Sequence, residues 1–200
     1  SIHILSYELP SISFPVGFFG LDPLPYSYFT GNGYKELRKK YRYLALEKIS
    51  AAGFTTFSGL PEVFPKIING EVFLDSTELD ELMKKAKALG MKGPLFSYGG
   101  QFPESLLKLK NVPQNINEND YYVLLSKALR ALLSNPEYLK IIYTYSDEPQ
   151  GYSDKLDEDL LFAQKLKKYF PYLSLGGFWG DYVGSDEKNS KALALNQFLD

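Results

Sequence analysis

Cysteine is absent from the 200 residues, which excludes disulfides, thiolate nucleophiles and Cys-ligated zinc. Histidine occurs once, at His3. A Ser-His-Asp triad or a multi-histidine metal site would therefore depend on that single side chain, which reads more simply as a strand residue near the N-terminus. Arginine is scarce: Arg38, Arg42 and Arg130 are the only three among 22 basic residues, against 24 acidic ones, for a net charge of −2. With no basic excess and no polybasic run, nothing draws in nucleic acid or holds an anionic membrane. No stretch approaches the roughly 18–20 apolar residues of a membrane-spanning helix. The chain opens on Ser1 without a charged-then-apolar leader, so a signal peptide is expected to be absent or already removed.

What remains for chemistry is carboxylates, hydroxyls, amides and a large aromatic set of 16 Tyr, 14 Phe and one Trp. At 44% hydrophobic and 23% charged residues the composition is that of an ordinary globular chain, the size of one domain or a large piece of one.

The pattern along the chain is strand then helix, repeated. Buried-strand signals fall at 14–19, 54–58, 94–98, 140–145 and 173–178, with helical periodicity at 34–52, 77–89, 120–134 and 154–170 between them. In the first helix Leu37, Tyr41 and Leu44 mark an apolar face, while Arg38 and Arg42 with Lys35 and Lys39 mark a solvated basic one. Gly53 and Gly90 stand where helices end in left-handed caps. Asn69-Gly70 between two apolar runs is a hairpin signal, because a type I′ turn needs positive φ twice. Asp75 or Ser76 is expected to cap the second helix, and Asp75 with Glu78 has capping-box spacing.

Strands separated by amphipathic helices predict a parallel α/β sheet. The absence of a Gly-x-Gly-x-x-Gly turn favours a TIM-type (β/α) barrel over a dinucleotide-binding sheet. A closed barrel needs eight strands and about 250 residues, so the five strand signals here imply an incomplete one. Residues 1–13 are expected to be an accessory N-terminal segment. Residues 14–200 are expected to be a partial barrel domain of a larger protein, whose other strands or domains would be partners.

The segment Tyr143-Thr144-Tyr145-Ser146-Asp147-Glu148-Pro149 stands out, because catalytic groups of parallel barrels sit at the carboxyl ends of strands. Asp147 and Glu148 can reach one pocket only if the chain turns there, and Pro149 makes a turn available. Two adjacent carboxylates resist joint ionisation in a partly buried site, so one becomes an acid and the other a standing anion. A pair of solvated loop carboxylates, one capping the next helix, is the competing reading. Asp154, Asp157, Glu158 and Asp159 open a helix, where acidic residues favour the dipole, and lack the glycine-centred Ca²⁺ loop pattern. No metal or other cofactor is expected.

In this order, Ile49-Ser50-Ala51-Ala52-Gly53-Phe54-Thr55-Thr56, Asn69-Gly70-Glu71-Val72-Phe73-Leu74-Asp75, Leu79-Asp80, Leu89-Gly90 and Tyr145-Ser146-Asp147-Glu148-Pro149 resemble the catalytic barrel of glycoside hydrolase family 123 and its glycosidase-like relatives. The resemblance implies a β-N-acetylhexosaminidase-like enzyme acting on an N-acetylamino sugar by substrate assistance. On that basis Asp147 would orient and stabilise the 2-acetamido group, and Glu148 would serve as general acid/base. It also implies an extracellular or cell-surface setting.

Tyr98, Tyr143, Tyr145 and Trp179 fall at predicted strand ends, where a flat ring could stack on the C–H face of a sugar. Asp181 is a candidate hydroxyl contact, as are Asp22 and Tyr26. For each Tyr the competing reading is a packed interior side chain. A non-catalytic glycan-binding or structural barrel module of a surface or secreted protein is the alternative to the enzyme.

Overall fold

Gly53 follows the first helix, Gly90 the second, Asn135-Pro136 the third and Pro171 the fourth, so the helices end where the sequence marks a break. The structure is a computed structural model that describes residues 15–18, 34–61, 63–97, 116–147 and 153–178. The elements are β1 (Gly17–Phe18), α1 (Tyr34–Ala51), β2 (Thr56–Phe57), β3 (Phe64–Ile68), β4 (Glu71–Asp75), α2 (Thr77–Ala88) and β5 (Leu95–Ser97). They are followed by α3 (Glu118–Leu133), β6 (Ile141–Asp147), α4 (Ser153–Tyr169) and β7 (Ser174–Phe178). The expected accessory segment 1–13, and Asp22 and Tyr26 in the first loop, lie outside the described residues.

β1 pairs parallel with β2, β5 with β6 and β6 with β7. A single parallel bridge, Ser58 to Phe96, links the two groups. The five expected strands therefore run parallel and in chain order. Among the described residues the architecture is mixed α/β, with four helices and small sheets, none of them closed into a barrel. Among the described residues, ladder hydrogen bonding ends at β1 on one side and β7 on the other.

The hairpin forms as its turn chemistry requires. β3 and β4 pair antiparallel with Ile67 opposite Val72, and Asn69 and Gly70 take φ of 53° and 80°, the double positive φ of a type I′ turn. Val72 faces in, while Phe64, Ile68 and Phe73 face out and are exposed. The capping box is not used. Ser76 occupies the N-cap of α2, and its hydroxyl donates to the Asp80 carboxylate at 3.0 Å. Asp75 instead accepts from the Thr77 hydroxyl at 2.9 Å and pairs with Lys66 at 2.8 Å. Helix α3 starts earlier than its periodicity suggests, because the Asn117 side chain caps it, accepting from the Asp120 N–H at 2.9 Å.

The core lies between the helices and the parallel strands. Leu79, Leu82, Met83 and Ala86 of α2 are buried as their spacing predicts, and so are Tyr122, Leu125 and Leu129 of α3. Helix α1 differs. Its buried stripe is Arg42, Leu46 and Ile49, whereas Tyr41 and Leu44 stay on the surface. Arg42 is thus not on a solvated face: its stem is packed among core residues at 5% exposure, and its guanidinium approaches Glu78 of α2 at 3.9 Å. The apolar residues of α1 are spread around the helix, so the neighbours α1 meets, rather than its own periodicity, choose the buried side. A long Arg stem can line such a stripe and still carry its charge to a partner.

Leu46→Ala should cost about 2–5 kcal/mol, the range for truncating a fully buried leucine, while Leu44→Ala should stay within about 0.5 kcal/mol. Urea unfolding of the two variants checks this, and equal midpoints would refute the assignment of the buried face.

Candidate active site

Strand β6 is the central strand of its sheet, bonded to β5 on one side and β7 on the other. Being parallel, the three strands share one carboxyl end. There β5 finishes at Ser97, β6 at Asp147 and β7 at Phe178. The backbone of Asp147, opposite Phe178, therefore stands where parallel α/β proteins collect their chemistry.

Two local features shape this end. First, Thr144 pairs with Gly176, but Ser146 pairs with the next residue, Gly177, so the register shifts and β6 carries one extra residue at Tyr145. Such a bulge bends its strand and breaks the strict alternation of faces. The strand rule that would separate consecutive side chains thus does not carry unchanged from 141–144 into 146–147. Second, Ser97 is buried, and its Oγ accepts the Thr144 N–H at 3.1 Å, tying β5 to β6 one residue before the bulge. Ser97 gave no sequence signal beyond its place at the end of a strand pattern.

Gly176 is required by the approach of β6. A Cβ there would meet Ile142 Cγ2 at 2.8 Å, closer than real side chains pack. Ile142 thus covers Gly176 on one face of the sheet, and by alternation Tyr143 and Tyr145 occupy the other.

That other face is the helix side. Tyr143 and Tyr145 are 2% and 4% exposed and belong to the main hydrophobic core. They lie beneath the carboxyl end and offer no ring face to a sugar, so the structure places them as packed interior tyrosines. Burial pushes the Tyr145 phenol far above its ordinary value near 10, and the charge of Asp159 adds to the effect. Asp159 itself is buried on α4, not part of a solvated acidic run. Its signal was legible: Asp159, Ala163, Leu166 and Phe170 follow one another at helical spacing, and all four are buried.

The side chain of Asp147 and all of Glu148, Tyr98, Trp179 and Asp181 lie outside the described residues. In the sequence Tyr98, Glu148 and Trp179 each directly follow the last residue of β5, β6 and β7. No group of three or more potential metal ligands occurs among the described residues. No described helix is long and apolar enough to cross a membrane. The chain matches no family model, no curated protein and no solved structure.

A phenol whose pKa rises on folding contributes stability that is intact below about pH 10 and lost as the pH climbs further. Between pH 8 and pH 11 the protein should therefore lose unfolding free energy, and Tyr145→Phe should lose roughly 1 kcal/mol less, since each pH unit of differential titration is worth about 1.4 kcal/mol. Denaturant unfolding at both pH values checks this; parallel losses would show that the Tyr145 phenol titrates normally. Gly176→Ala should destabilise by about 1–3 kcal/mol through overpacking, and adding Ile142→Ala should recover part of that. An additive double variant would contradict the β6–β7 register.

Proposed function

We propose that the chain forms part of a TIM-type (β/α) barrel and acts as a retaining, substrate-assisted β-N-acetylhexosaminidase-like glycosidase, with Asp147 and Glu148 as its catalytic pair. The observation that carries this reading is the backbone position of Asp147. It ends the central parallel strand two residues past the bulge at Tyr145, with Glu148 next in the chain. The resemblance to glycoside hydrolase family 123 supplies the reaction.

In that reaction the carbonyl oxygen of the sugar's 2-acetamido group attacks the anomeric carbon. Asp147 orients the acetamido group and stabilises the positive charge that develops on the resulting oxazolinium. Glu148 gives its proton to the departing glycosidic oxygen. It then takes a proton from the water that opens the ring on the same face, so configuration is retained. No carboxylate nucleophile is needed, which sets this chemistry apart from the two-carboxylate scheme of most glycosidases. Trp179, Tyr98 and Asp181 are the proposed sugar contacts. Tyr143 and Tyr145, closed off in the core, are supports beneath the site.

The second reading is a non-catalytic glycan-binding or structural barrel module, in which the same pair binds glycan or only stabilises a loop; the burial of those two rings favours its structural form. Kinetics on the intact protein separate the two. Glu148→Gln should slow substrates with poor leaving groups by about 10²- to 10⁴-fold, and activated aryl N-acetylhexosaminides far less. Asp147→Asn should slow both alike, by about 10²-fold or more. A sugar bearing a 2-hydroxyl in place of the acetamido group should be inert. Cleavage of that sugar at an equal rate would sink the mechanism. If no hexosaminide is cleaved and neither substitution changes a rate, the binding-module reading stands instead.

A further inference from the structure

Outside the strand ends, a trough runs along the outer surface between α3 and α4. One part, of about 540 Å³, is walled by the second half of α3 and by the end of α4 with the turn after it. A second part, of about 350 Å³, continues it toward the start of α3 and shares Lys168 and Tyr169 with the first. The α3 residues involved run from Glu118 to Ala131, about 20 Å of helix at 1.5 Å per residue. That length suits about six residues of extended peptide and exceeds what most small anions fill.

Its chemistry is one-sided. Lys127, Arg130 and Lys168 line the larger part, and no carboxylate does. None of the three forms an ion pair with a carboxylate among the described residues. Two of them are held over rings: Arg130 lies 4.9 Å from the Tyr172 ring centre and Lys168 4.6 Å from that of Tyr169. Both tyrosines are tied to α3. The Tyr172 hydroxyl donates to the Ser126 carbonyl at 2.6 Å, and the Ser126 hydroxyl donates to the Tyr169 carbonyl at 2.6 Å. Glu118, the one carboxylate lining the smaller part, is already taken by Lys165. The two most exposed large apolar side chains among the described residues, Leu161 at 67% and Val123 at 60%, both line this trough. Pre-oriented cations beside exposed apolar walls complement a partner that is both acidic and apolar.

We propose that the α3–α4 trough is a docking site for an acidic peptide segment that carries apolar side chains. The carboxylates of the peptide meet Lys127, Arg130 and Lys168, and its apolar side chains cover Val123 and Leu161. Nucleic acid fits less well, because the apolar walls would face phosphate and the chain as a whole carries a net charge of −2.

The test is fluorescence anisotropy of the whole chain with a labelled eight-residue peptide of alternating Glu and Leu, beside a Lys-Leu peptide and a single-stranded oligonucleotide as controls. The Glu-Leu peptide should bind saturably and weaken at least tenfold between 50 and 300 mM salt, and the Lys-Leu peptide should not bind. Arg130→Gln with Lys168→Gln should weaken binding at least tenfold. Val123→Asp, at an exposed position, should do the same while circular dichroism stays unchanged. No binding of the Glu-Leu peptide at 50 mM salt, or undiminished binding by the folded variants, overturns the proposal. Tighter binding of the oligonucleotide, lost in the same variants, overturns it in favour of nucleic acid.

Discussion

The parallel pairing of β6 between β5 and β7 is the constraint on which the rest of the structure depends. Parallel neighbours cannot be joined by a tight turn, so each pairing demands a crossover, and α3 and α4 are the helices that those crossovers contain. A central strand must also be covered, and the face carrying Tyr143 and Tyr145 is covered by that helix layer. Ala163, Leu166 and Phe170 of α4, which packs on β6, share one buried core with Leu125 and Leu129 of α3, which packs against β4.

The same pairing sets the conditions for chemistry. Three strands in parallel bring three chain ends to one rim, and the hydrogen bond from the Thr144 N–H to Ser97 Oγ fastens two of them together. The extra residue at Tyr145 shifts the register, so that Ser146 and Asp147 stay paired with Gly177 and Phe178 one step out of phase with the residues before them. Support and proposed site are thus consecutive in sequence: Tyr143 and Tyr145 pack in the core, and the proposed pair Asp147 and Glu148 follows them. The buried phenol and Asp159 form the polar element beneath that junction, which a purely apolar interior would lack.

The helix layer presents a separate basic and aromatic surface on its outer side. α3 and α4 each bury one stripe in the core, and a trough lies between them on the exposed side. Rings within it pin cations that would otherwise sample many rotamers, and an immobilised guanidinium over a tyrosine loses less entropy on meeting an anion than a free one. This surface depends on the outer edges of the helices and not on the strand ends, so changes in one need not disturb the other.

Much of this was legible in the sequence wherever a local rule was strong enough to act alone. The Asn69-Gly70 turn, the α2 stripe of Leu79, Leu82, Met83 and Ala86, and the five parallel strands in chain order each follow from backbone sterics or from periodicity. Those causes operate within a few residues. What the sequence did not carry required knowing which neighbour each segment meets. Helix α1 has apolar residues on more than one side, so only its packing against the core selected Leu46 and Ile49 over Leu44 and drew Arg42 inside. Tyr143 and Tyr145 have the side chains of a sugar platform, yet the sheet turned them toward the helices, because strand alternation assigns a face only once pairing and layer are settled. The bulge at Tyr145 is of the same kind, because a register shift exists only between two strands. Local sequence therefore determined the elements and their order, and tertiary packing decided which faces they present.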